Sequence, residues 1–301
     1  MIKQIKEKIL HSAPIALSKK IILPGFERVP LYNVAAFFIK GIQNGTITSR
    51  ASSVAFSFFL ALFPTIIFLF TLIPYVPIQD FQNQLMDLLR EFMPKSAFEA
   101  TESTLEEIIK QPHGSLLSVG FISALYFSTN GFNSLIDAFN QSYHSIETRG
   151  VIRQRLVSIL LVIIQTFLML TAITLIVLTE FILYKFIPRD NFAAYGILIG
   201  RWLIVLALLV STISFIYYLG PASKKGWKFI SAGSTLATIL FIITSLGFAF
   251  YVNNFGQYNK LYGSIGTLIV VLLWIYFNSI ILLLGFELNA SIHSASKSAQ
   301  Q

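Results

Sequence analysis

The chain of 301 residues contains no cysteine. Disulfides, thiolate metal sites and cysteine nucleophiles are therefore excluded. The absence says little about compartment, because a membrane protein needs none of them. Charge is the second shortage. Only 12% of the residues are charged, against about a quarter in an ordinary soluble domain. Catalytic signatures are missing as well. No GxSxG, Walker A, GxGxxG or HExxH pattern occurs. The four histidines, His11, His113, His144 and His293, are dispersed and lack metal-ligand spacing. No metal, no cofactor and no enzymatic activity are expected.

Apolar residues are what the chain has in excess. They make up 55% of it, and Phe alone contributes 28. A single soluble core of this size cannot bury so much apolar surface. The composition points to an integral membrane protein. The net charge of +8 would suggest nucleic acid on a soluble chain. Here the basic residues flank apolar runs, so topology and anionic headgroups explain them, and no nucleic-acid partner is expected. The N-terminus, MIKQIKEKIL, has a short apolar part and no clear cleavage site. It does not read as a signal peptide.

A membrane span needs about 20 mostly apolar residues. Six stretches qualify: Ala51–Ile73, Ser115–Ala138, Leu156–Tyr184, Tyr195–Leu219, Phe229–Val252 and Gly263–Leu288. The second is the least apolar. All are too long and continuous for barrel strands, so the fold class is an all-α integral membrane protein with six transmembrane helices. Pro64 should kink the first span. Fifteen of the 22 Lys and Arg fall on one side of this arrangement. By the positive-inside rule both termini are cytoplasmic.

Outside the spans, Ile2, Ile5 and Ile9 alternate with lysines as in a helix lying on a membrane surface. LYNVAAFFIKGIQ (31–43) reads as a second interfacial helix. On the external side, FQNQLMDLLREF and SAFEATESTLEEIIK have helical spacing with Pro94 between them. They predict a helical hairpin cap. The expected organisation is one membrane domain over 1–301. Cytoplasmic interfacial helices occupy 1–46, and a six-helix bundle occupies 47–291 with its cap at 78–111. A cytoplasmic tail follows at 292–301.

The second span carries the most informative pattern. At 100° per residue, Ser123, Tyr126, Asn130, Asn133, Asp137 and Asn140 fall within roughly a 100° arc. Arg50, at the start of the first span, and Glu287 and Asn289, near the end of the sixth, map to the depth of its cytoplasmic end. Two readings stand. In one, the amides bond across helices and Asp137 pairs with Arg50 or a basic loop residue. In the other, Asn130, Asn133, Asp137 and Asn140 line a cytoplasm-facing cavity with Arg50 and Glu287 at its rim. Nearer the outer face, Glu180 is expected to pair with Arg201 or Lys185 rather than face lipid. Gly196 and Gly200 (GILIG) have the spacing of a helix-packing pair.

Three blocks carry a resemblance. They are SRASSVAFSFFLALFPTIIFLF (49–70), with Pro64; FNSLIDAFNQSYHSIETRGVIRQRL (132–156), with Asn140, Tyr143, Glu147 and Arg149; and YNKLYGSIGTLIVVLLWIYFNSIILLLGFELNA (258–290), with Trp274, Tyr276, Gly285 and Glu287. In order and spacing the chain resembles the YihY/virulence-factor BrkB family over nearly its whole length. The resemblance implies a six-helix protein of the bacterial inner membrane. It supplies no settled catalytic or ligand residues. Members often carry the label ribonuclease BN. A metal-dependent nuclease needs a clustered His/Asp site, which four dispersed histidines do not supply, so the label does not fit this chain. The family's association with the cell envelope implies membrane lipids, including anionic or lipid-linked envelope precursors, as partners.

The leading expectation is a transporter or flippase-like protein for an amphipathic or anionic envelope molecule, with no ATP site. Asp137 or Glu287 would couple movement to a proton. The alternative is a non-transporting scaffold of an envelope-assembly complex, docking through the cap. A second copy of the chain or an envelope protein would then be a partner.

Overall fold

The computed structural model describes residues 21–22, 25–27, 29–44, 46–75, 80–92, 95–142, 145–146, 148–186, 192–222, 228–255 and 264–300. The surface helix expected over Ile2–Ile9 lies outside them. Among the described residues there are nine α-helices, which we number in chain order. They are α1 (Leu31–Asn44), α2 (Ile47–Leu72), α3 (Phe81–Phe92), α4 (Lys95–Lys110), α5 (Gly114–Asn140), α6 (Val151–Phe186), α7 (Phe192–Leu219), α8 (Ala232–Phe255) and α9 (Ser264–Gln300). A 3-10 turn, Ile73–Tyr75, extends α2. Strands β1 (Gln141–Ser142) and β2 (Ser145–Ile146) pair antiparallel between α5 and α6.

Among the described residues, five stretches are helical, long and apolar enough to cross a membrane: Ile47–Tyr75, Val151–Leu183, Ala194–Leu219, Ala232–Val252 and Gly266–Ser298. The sequence predicts six. The helix at the missing position, α5, forms as expected, but its polar residues dilute its apolar character. Pro64 lies inside a helix that runs unbroken from Ile47 to Leu72.

The chain divides into two compact units. One comprises residues 1–56 and 132–301, the other Ser57–Gly131. In the first, α9 is the central element, with α8 and α1 packed along it, and α7 packs against α6 and α8. Glycine lets α8 and α9 touch backbone to backbone. A Cβ on Gly233 would meet the Gly285 carbonyl, and one on Gly285 would meet Tyr217 Oη and, at 2.7 Å, the Gly233 carbonyl. Tyr217 Oη donates to the Leu282 carbonyl at 2.7 Å. Phe139 stacks on Phe286 with ring centroids 4.3 Å apart.

Within the segment expected as a tail, 292–301, α9 continues to Gln300. Ile292 and Ala295 are buried there with Phe26, Val29 and Val34. This apolar contact holds α1 against α9. It makes helix 31–44 part of the packed unit on one face while Ile39 and Ile42 stay exposed on the other.

In the second unit α3 and α4 pair as the predicted hairpin. Arg90 Nη2 lies 2.8 Å from Glu102 Oε1, and its guanidinium sits 5.2 Å from the centre of the Phe98 ring. Gly120 allows close approach to the Phe68 backbone, and Gly131 to the Phe58 ring.

Candidate functional site

The polar residues of the first unit gather at the end of α5 and the turn that follows. Asn133 and Asp137 are one helical turn apart, so their side chains meet on one face. Asn133 Nδ2 donates to Asp137 Oδ2 at 3.1 Å. Opposite them stands Gln154, in the first turn of α6. Its Nε2 donates to Asp137 Oδ1 at 2.6 Å and to Asn133 Oδ1 at 3.0 Å. Asn140 Nδ2 reaches Gln154 Oε1 at 3.5 Å, and Asn140 Oδ1 accepts from the Ala222 backbone N–H at 3.1 Å. One amide thus ties the stripe to the next helix, and the stripe's last amide ties it to the α7–α8 connection.

A second cluster forms around Glu287, which is fully buried in α9. Its Oε2 accepts from Ser142 Oγ at 2.8 Å. The same oxygen lies 3.9 Å from Arg50 Nη2, too far for a hydrogen bond. Arg50 Nη1 donates instead to the Ala138 carbonyl at 2.7 Å. Glu287 Oε1 abuts Gly41 of α1, where any side chain would occupy the same space. At 3.9 Å the attraction is about 4 kcal/mol at an effective dielectric of ~20. Desolvation costs several kcal/mol per ion. The short contacts of the pair come from the Ser142 hydroxyl and the Ala138 carbonyl, while Glu287 Oε1 and Arg50 Nε make no hydrogen bond among the described residues.

Arg149, in the loop before α6, closes the α7 end. Its guanidinium donates to the carbonyls of Leu219 at 3.1 Å and Gly220 at 3.2 Å, and to that of Pro221. These are the free carbonyls at a helix C-terminus, where a cation also meets the negative end of the helix dipole. Burial, and then the charge of Arg153, hold the Arg149 pKa below the ordinary arginine value. Asn289 does the converse at the α8 start. Its Oδ1 accepts from Gly233 N–H and its Nδ2 donates to Ser231 Oγ, both at 2.8 Å.

The predicted residues therefore separate into two clusters. Asn133, Asp137 and Asn140 share one network, and Arg50 and Glu287 form another. Asp137 is bonded to amides, whereas Arg50 approaches Glu287. Asn130 is half-buried and belongs to the unit of residues 57–131. Arg201 Nη1 lies 2.7 Å from Glu180 Oε1, and its guanidinium packs 5.3 Å from the centre of the Trp202 ring. Gly196 and Gly200 have open space where a Cβ would stand; the close helix contact uses Gly233 and Gly285 instead. Gln154, Ser142 and Gly41 were not expected. Among the described residues, no three His, Asp or Glu side chains gather as a metal site.

The virulence factor BrkB family matches residues 38–301. The chain is 35% identical to the ribonuclease-like protein YfkH of Bacillus subtilis (strain 168), over 83% of this chain and 91% of that one. It is 22% identical to a UPF0761 membrane protein of Psychrobacter sp. (strain PRwf-1), over 87% of this chain and 48% of the relative. A UPF0761 membrane protein of Stenotrophomonas maltophilia (strain K279a) is 28% identical over 80% of this chain and 56% of its own length. The chain thus spans about half the length of these last two relatives. No solved structure matches it.

Proposed function

The chain belongs to the virulence factor BrkB family, and from that premise we propose that it is a multi-pass transporter or flippase-like protein of the bacterial inner membrane. It moves an amphipathic or anionic envelope molecule and hydrolyses no nucleotide. In this reading α5 is a sixth span, both termini are cytoplasmic, and α1 lies at the inner interface. One observation supports it. Seven polar side chains, Arg50, Asn133, Asp137, Asn140, Ser142, Gln154 and Glu287, converge in one unit of a membrane protein. Asn133, Asp137, Asn140 and Gln154 bond among themselves, as do Ser142 and Glu287. Such a set is costly in hydrocarbon, where polar groups survive only by pairing or by facing water. Two such clusters, whose bonds can be exchanged for those of a ligand or water, are the resting form of a polar path.

Single cysteines test this without background, since the chain has none. They are placed at Asn130, Asn133, Asp137 and Asn140, with lipid-facing controls on α5, in inside-out vesicles. A membrane-impermeant thiol reagent should label Asn130 and Asn133 positions above controls of equal depth. Labelling confined to positions 137 and 140 would defeat the cavity.

The scaffold reading has its own support. A groove of about 240 Å³ between α3 and α4 is lined by Asn83, Asp87, Arg90, Glu102, Glu106 and Lys110. If it docks an envelope protein, site-specific crosslinkers there capture one defined partner, and deleting the hairpin abolishes function while the helices stay folded. We propose no enzymatic activity, although one relative is named ribonuclease-like. Metal-dependent RNA cleavage by purified protein would reverse that.

A further inference from the structure

Resting on the transport reading of this site, we infer that the Glu287 carboxylate is an internal stand-in for the ligand: an oxyanion carried on an amphiphile displaces it from Arg50. Three features of the Glu287 seat lead there. First, the seat is built for a carboxylate and yet holds it loosely toward its cation. The Arg50 contact is 3.9 Å, while Arg50 keeps its short bond to the Ala138 carbonyl. Swinging the carboxylate away therefore breaks no short hydrogen bond to Arg50.

Second, the space around the carboxylate depends on a missing side chain. Glu287 Oε1 lies where a Cβ on Gly41 would be, and Cγ and Cδ are each 3.0 Å from that point. Third, a hydroxyl, Ser142 Oγ, donates to the carboxylate. A guanidinium fork and a hydroxyl donor recognise a phosphate or carboxylate as readily as they hold Glu287. Arg50 sits in the first turn of α2, which the proposed topology puts at the level of inner-leaflet headgroups. The guanidinium is permanently charged, and the Glu287 carboxylate stands 3.9 Å from it.

Competition has a sign that distinguishes it from other roles. If Glu287 occupies the ligand's place, removing its charge strengthens oxyanion binding. If Glu287 instead binds a cationic ligand or only holds the fold, removing it weakens binding or leaves it unchanged. Dihexanoyl phosphatidic acid, inorganic phosphate and dihexanoyl phosphatidylcholine serve as probes, titrated calorimetrically against the purified full chain in detergent. We expect Glu287→Gln to bind phosphatidic acid about tenfold more tightly. Gly41→Ala, which crowds the carboxylate, should act in the same direction by a smaller factor. Arg50→Gln should lose the preference for phosphatidic acid over phosphatidylcholine. Tightening that extends to inorganic phosphate assigns the site to the free anion. Tightening seen only with the lipid assigns it to an amphiphile.

Unchanged or weaker phosphatidic acid binding by Glu287→Gln overturns the inference, as does the absence of binding to any variant. Fluorescence-detected unfolding checks that each variant is folded. If Glu287→Gln is not, Gly41→Ala decides the matter with the carboxylate in place. A thiol-labelled cavity with unchanged Glu287→Gln affinity would leave the transport reading standing and remove only the competition.

Discussion

Gln154 is the perturbation that reports most directly on the amide network. Gln154→Leu keeps the approximate size and removes two donated bonds, at 2.6 Å to Asp137 and 3.0 Å to Asn133. In water-soluble proteins a neutral bond contributes about 1 kcal/mol and one to a charged group about 1.5–3 kcal/mol. Bonds between membrane helices are worth less, averaging ~0.6 kcal/mol with a maximum near ~1.7 kcal/mol, because the separated helices also find partners. The membrane scale governs here, since Asp137 keeps its bond from Asn133 and is never left bare. The contact with Asn140 is at the limit of hydrogen bonding, at 3.5 Å, and adds little. The expected loss is therefore about 2 kcal/mol, a fall in Tm of about 4–8 °C for a chain of this size. Fluorescence-detected thermal unfolding in one detergent measures it. Gln154→Glu, which sets a second carboxylate against Asp137, should fall further. A double-mutant cycle with Asp137→Ala, which removes the acceptor, isolates the bond, with an expected coupling of about 0.6–1.7 kcal/mol. Coupling below about 0.5 kcal/mol, the additivity of independent sites, would refute the claim that Gln154 anchors the stripe.

The other predictions use the same measurements. Arg149→Ala leaves the carbonyls of residues 219–221 without their guanidinium. It should cost about 2 kcal/mol, with Arg149→Lys recovering only part, since an ammonium cannot fork across three acceptors. An alanine-like loss for lysine and none for alanine are both distinguishable outcomes, and the second sinks the capping role. Gly285→Ala forces a methyl against the Gly233 carbonyl and Tyr217 Oη and should lower stability by about 1–3 kcal/mol. Gly200→Ala, with open space around it, should change stability by less than about 0.5 kcal/mol. If the two behave alike, the close α8–α9 approach is wrong. On the hairpin, the hydrogen bond and then the charge of Lys110 hold the Glu106 carboxyl below its ordinary pKa. The stabilisation is complete above the usual carboxylate value and disappears as pH falls through the lowered one. The protection factors of α4 amides, exchange rates corrected for their intrinsic pH dependence, should therefore fall in acid at low salt, and Lys110→Gln should abolish that response.

Helices were legible because their signals are local. Apolar length announces the spans, and amphipathic spacing around Pro94 announces α3 and α4. The tail shows what happens when two local signals are confused. Apolar character ends near Leu288, which is where a span should stop. Helix ends at a breaker, and SASKSAQ contains neither Gly nor Pro. The helix therefore runs on, and Ile292 and Ala295 find apolar partners in Phe26, Val29 and Val34. Conversely, the stripe that drew attention to α5 is what leaves it outside the helices apolar enough to span.

Partners were less legible than positions, and the acids show why. Sequence depth places Arg50, Asp137 and Glu287 at one level, so either acid is a candidate partner for Arg50. Choosing between them requires knowing which helices are neighbours, and no periodicity within one helix contains that. The structure settles it through small residues that carry no charge signal at all. Gly41 admits the Glu287 carboxylate, Ser142 holds it, and Gly285 lets α9 lie against α8. Asp137 is then satisfied by Gln154, a lone amide among the arginines of VIRQRL that reads as loop polarity. Asp137 is held by amides within 3.1 Å, whereas the Glu287 carboxylate stands 3.9 Å from Arg50, so the competition inferred above is to be sought at Glu287 and not along the stripe.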